Sequence, residues 1–89
     1  MNKKKYEFEA KIMKIEDIDG AYIEFPFNVK EEFQKSRVKV SATFDGYYYE
    51  GILVKMKTEN HIIGIRKEIR KIINKQPGDI IKVTIQERE

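Results

Sequence analysis

Apolar and polar side chains alternate with period two along most of this chain, and the interruptions are short. Tyr6, Phe8, Ala10 and Ile12 alternate with Glu7, Glu9 and Lys11, the period of a strand with one buried face. Glu16-Asp17-Ile18-Asp19-Gly20 breaks the pattern with turn residues. Ala21, Ile23 and Phe25 resume it against Tyr22 and Glu24, and Pro26 ends it. Asn28 then stands as the N-cap of a short helix, with Glu31 and Glu32 in its first turn and Val29 and Phe33 four apart on one face. Val38, Val40, Ala42 and Phe44 form a third strand, and Asp45-Gly46 predicts a type I′ hairpin, whose two central residues need positive φ.

The same order then recurs. Tyr47 to Met56 reads as a long strand, Thr58-Glu59-Asn60 as a turn and His61 to Ile65 as a strand. Lys67 to Lys75 has the period of a basic amphipathic helix, which Gln76-Pro77-Gly78-Asp79 stops. Ile81, Val83 and Ile85 make the last strand. A shift of 41 brings Tyr6 onto Tyr47, Phe8 onto Tyr49, Ala10 onto Gly51 and Ile12 onto Leu53. A shift of 40 brings Ile23 onto Ile63, and the pair Val29/Phe33 onto Ile69/Ile73. An offset of 43 brings Lys39-Val40-Ser41 onto Lys82-Val83-Thr84. Each half therefore reads strand, turn, strand, helix, strand, and neither could cover its apolar face alone. The expected fold is mainly β: a small closed β-barrel of about six strands with two short helices. Its two ββαβ halves, residues 6–44 and 47–87, lie in a pseudo-two-fold arrangement within a single domain spanning 1–89.

Composition narrows the classes. Hydrophobic residues are 40% of the 89 and charged ones 37%, so the core is thin. Cysteine is absent, which excludes disulfides, zinc–thiolate sites and a cysteine nucleophile, and suits a cytoplasmic protein. No apolar run is long enough to span a membrane, and the opening MNKKKYEFE lacks the apolar segment of a signal peptide. Residues 1–46 carry nine basic and nine acidic side chains, and residues 47–89 nine and six. The whole excess of +3 thus falls in the second half, concentrated in Arg66, Lys67, Arg70, Lys71 and Lys75.

Two resemblances follow from these residues. Gly64-Ile65-Arg66-Lys67-Glu68-Ile69-Arg70 with Gly78-Asp79 and Lys82-Val83 resembles the AbrB/MazE swapped-hairpin motif, with Arg66 where that family has proline. Over nearly the whole chain, the order of features is similar to the domain of unknown function 1905 family. These are Phe8, Ala10 and Ile12, then Phe25-Pro26, then Val38 and Val40 with the Asp45-Gly46 hairpin, then Gly64, Lys67 and Arg70, then Gly78-Asp79. That resemblance implies a small barrel related to the AbrB-type double-split barrel, with both halves in one chain, and no established activity.

Candidate chemistry is sparse. His61 has no second histidine or cysteine for a metal and no obvious nucleophile to activate. Asp17, Asp19 and Glu24 lack the spacing of a calcium loop, and no glycine-rich phosphate loop occurs. No catalytic, cofactor or metal site is expected, and the chain is read as not an enzyme. Arg66, Lys67, Arg70 and Lys71 are the candidates for binding an anion or nucleic acid, since cations of one surface engage phosphates. Arg70 is also expected to bond Asp79 across the helix-to-strand junction. Tyr48 and His61, with Arg70, are candidates for a ligand site at the barrel mouth. The function expected is that of a non-catalytic binding module of unknown role. DNA binding of the AbrB/MazE type and small-molecule binding are the alternatives, no membrane is engaged, and the chain is a monomer or weak homodimer.

Overall fold

A computed structural model of the chain describes residues 2–16 and 19–89; Asp17 and Ile18, within the turn expected at 16–20, lie outside the described residues. The elements follow in the order β1 (Lys5–Lys11), β2 (Met13–Ile15), β3 (Gly20–Glu24), α1 (Val29–Phe33), β4 (Val38–Phe44), β5 (Tyr47–Lys55), β6 (His61–Gly64), α2 (Lys67–Ile73) and β7 (Ile80–Glu87). The alternating segments are strands, and the two segments with apolar residues four apart are helices. No helix among the described residues is long and apolar enough to cross a membrane.

The strands join, all antiparallel, in the order β1-β7-β4-β5-β6-β3-β2. This corrects the expected closed barrel of six. The described residues form seven strands in an open half-barrel, and its outermost strands, β1 and β2, form no ladder with each other. The cause is local. The first alternating segment breaks at Ile12, whose N–H donates to the Asp79 carbonyl (2.9 Å) and whose own carbonyl accepts the Gly78 N–H (2.8 Å). Before the break the chain pairs with β7, and after it with β3. One extended segment thus bends from one part of the sheet to another, where a barrel would bring two edges together. β5 makes the same passage unbroken, pairing with β4 over Tyr47–Leu53 and with β6 at Val54 and Lys55.

The pairings of the two halves are equivalent. Val40 stands opposite Gly51 and Ile81 opposite Ala10, so a shift of 41 carries the first pair onto the second. Under a shift of 40 the β3–β6 ladder maps onto itself about the pair Ile23 and Ile63. The offset of 43 for the last strand is corrected to 41. The two values differ by one full pleat, which leaves every side chain on its own face, so alternation alone cannot choose between them. The ladder can.

The core lies inside the curved sheet, under the two helices. Ile23, Phe25, Val38, Val40, Phe44, Leu53 and Ile85 are fully buried, and each such side chain contributes about 1.5–3 kcal/mol by leaving water. Phe8 and Tyr49, both expected in the core, are half-buried and pack against it. Asn28 caps α1 as expected, its Oδ1 accepting the Glu31 N–H at 3.1 Å. α2 ends at Ile73, two residues before Lys75, because Asn74 turns left-handed at φ 58°. At the hairpin, Asp45 and Gly46 have φ 49° and 89°, both positive as the type I′ turn requires.

Candidate functional site

α2 presents its cations unequally. Arg70 turns inward and is buried, its Nη2 3.4 Å from Oδ1 of Asp19. Lys67 reaches the other oxygen of that carboxylate at 3.3 Å. Hydrogen bonds from Lys67 first and Arg70 second hold the Asp19 carboxyl below the ordinary aspartate range. Lys75 lies 3.6 Å from Asp45. Arg66 sits over the Tyr49 ring, 5.8 Å from its centroid, and Lys71 is exposed. The expected bond between Arg70 and Asp79 is not formed. Asp79 accepts the Gln76 N–H at 2.8 Å instead, closing the loop by itself, while Arg70 pins the β2–β3 turn. Two of the four candidate anion ligands, Lys67 and Arg70, are therefore paired with one surface carboxylate of the same chain.

The ligand site expected from Tyr48, His61 and Arg70 is not assembled either. Tyr48 is exposed near the hairpin end of β5, its hydroxyl donating to Glu50 at 2.8 Å and lying 3.2 Å from Ser41 Oγ. His61 pairs with Lys55 near the far end of the same strand, about 20 Å away at strand rise. Arg70 lies beneath α2. These three side chains share no surface.

His61 instead lines a groove of 680 Å³ between the β3–α1 connection and the β5–β6 hairpin. Pro26, Phe27, Asn28, Val29 and Lys30 line it from the first segment, Lys55, Glu59, Asn60 and His61 from the second, and Ser36 completes the lining. Phe27 is 42% exposed, yet its ring rests on Phe25, Tyr6 and Phe8 with centroids 5.4, 5.5 and 6.1 Å away. The His61 Nε2–H donates to the Ser36 carbonyl at 2.9 Å, since a carbonyl oxygen can only accept. The Lys55 ammonium donates to the Thr58 carbonyl at 2.6 Å and to that of Glu59, so two of its three N–H groups are fixed.

The equivalence of the halves supplies an internal comparison. The counterpart groove of 460 Å³ is lined by Asp19, Gly20, Ala21, Arg66, Lys67 and neighbours. Under the shift of 40, Phe27 corresponds to Lys67, Lys30 to Arg70, Glu59 to Asp19 and His61 to Ala21. There the Asp19 carboxylate pairs with Lys67, which also lines the groove, and with Arg70, which is buried behind it. Here Lys30 is exposed and has no ion-pair partner among the described residues, and an aromatic ring takes the place of the second cation.

Of the candidate site residues expected from the sequence, His61 is the one that lines this groove. Phe27 and Lys30 were missed because each is unremarkable by itself, one apolar residue after a proline and one lysine in a helix. The signal available was their mismatch with Lys67 and Arg70 once the halves are superposed.

Fold and grooves together define a small, mainly β protein with two equivalently paired halves. The chain belongs to the domain of unknown function 1905 family, whose DUF1905 model matches residues 8–85. No curated protein shows significant sequence similarity to it.

Proposed function

We propose that this protein is a non-catalytic binding module whose ligand occupies the groove between Phe27 and His61. The observation that carries this is the contrast between the two equivalent grooves: in one Asp19 pairs with Lys67 and the buried Arg70, while the other leaves Phe27 and Lys30 open to a ligand. The size of the open groove is within the range of small-molecule sites. The matching order of elements in the two halves supports an internal repeat and a relation to the AbrB-type double-split barrel, and the absence of cysteine supports a cytoplasmic setting. Lys67, Arg70 and Lys75 already face carboxylates, which weighs against duplex DNA as the partner, since phosphate binding needs free cations.

Amide chemical shifts recorded against a broad metabolite panel test the proposal. Binding is expected to move resonances of residues 26–30, 36, 55 and 59–61, and to leave those of 64–68 in place. Perturbation confined to the α2 groove, or none with any compound, refutes it.

A further inference from the structure

We infer that the ligand of the Phe27 groove is a small organic anion with a planar apolar body, an aromatic carboxylate being the simplest case; this rests on the binding reading above. The groove is rich in fixed donors. Lys55 is held by two backbone carbonyls and retains one N–H of its three. Its position is therefore set before any ligand arrives, which lowers the ordering cost of binding. Asn28 spends its Oδ1 on the helix cap and keeps its amide N–H₂ as donors. Lys30 brings a second charge, unpaired among the described residues. Against these cations stands one carboxylate on the wall, Glu59. The net charge of the lining is positive, and a negative ligand complements it.

The shape of the other half of the ligand comes from Phe27. Three neighbouring rings support it, so it is a rigid platform with one side bare. Pro26 beside it is also exposed. A flat apolar group covers such a surface with little loss of freedom, in offset-stacked or edge contact. A simple inorganic anion would leave that surface wet, and a neutral ring would leave Lys30 unanswered.

The test uses matched acids and amides on the full chain: indole-3-acetate against indole-3-acetamide, benzoate against benzamide, and acetate as the anion without a ring. Affinities are read from amide shifts. The acids are expected to bind at least tenfold more tightly than their amides, and acetate to leave the groove unperturbed. Lys30→Gln should reduce the preference for acid over amide severalfold, leaving the part that Lys55 supplies, and Lys67→Gln in the counterpart groove should leave it intact. If amides bind as tightly as acids, or acetate as tightly as either, the ligand class is wrong while the groove remains a binding site. If neither these compounds nor the metabolite panel perturbs the groove, the binding reading falls and takes this inference with it.

Discussion

Two side chains show how far a residue's neighbours decide its role. Gly51 occupies the place that Ala10 holds in the other half, and a methyl group there would lie 2.6 Å from Cε2 of Tyr49 and 2.9 Å from Cδ1 of Ile63. A side chain there would have to push the Tyr49 ring, which lies under Arg66, and the end of Ile63 aside. Glu87 is buried next to Lys35 and accepts the Asn2 N–H at 2.8 Å. Burial works to raise its pKa, but Lys35 and the Asn2 N–H more than offset that and hold it below the ordinary glutamate value of 4.5. A carboxylate with a depressed folded pKa stabilises fully above its unfolded value and loses that contribution as pH falls through the folded one. Glu87→Gln should therefore cost about 1–2 kcal/mol near neutrality and flatten the acid limb below about pH 4.5. Thermal unfolding of both proteins between pH 7 and pH 3 checks this; parallel curves would show that Glu87 contributes nothing to the acid limb.

At the scale of elements, the helices are short and their ends matter more than their middles. Both stop on a residue in the left-handed region, Gln34 at φ 59° and Asn74 at φ 58°. Asparagine visits that region readily, but glutamine does not. Gln34→Gly should stabilise the protein by about 0.5–1 kcal/mol, seen as a higher urea midpoint at unchanged slope; a lower midpoint would mean that the Gln34 side chain has a use the geometry does not show. The element pattern was largely legible beforehand, since alternation, the Asn28 cap and the Asp45-Gly46 turn are local physics. What alternation missed was the break at Ile12. Its buried side chain keeps the period of a strand, and only its hydrogen bonds to Gly78 and Asp79, more than sixty residues away, reveal the bend.

For the molecule as a whole, the two chain ends lie where a second hairpin would be. Asn2 bonds Glu87, and the Gln86 side chain donates to the Lys3 carbonyl at 3.0 Å, across the sheet from Asp45-Gly46. A permuted chain that starts at Gly46, joins Glu89 to Asn2 through a short flexible linker and ends at Asp45 should form the same sheet as a monomer. Loop tips of this kind tolerate a new opening well. Its amide spectrum should overlay that of the natural order outside residues near the new junctions. An unfolded chain or an obligate dimer would show that the Asp45-Gly46 connection is needed to bring the halves together.

The sequence by itself determined the order and type of the elements other than β2, most residues of the core and the likeness of the two halves. Those follow from period-two and period-3.6 burial, which any segment expresses locally. Tertiary structure alone decided the seven-stranded open sheet, the true register of β7 and the fate of each candidate cation. Strand slips of two residues are invisible to a period of two, and whether a lysine or arginine is free depends on which carboxylate the fold sets opposite it. The same holds for the groove. Phe27, Lys30, Lys55 and His61 come from four elements or connections, and only pairing of β5 with β6 and of β6 with β3 brings them to one surface.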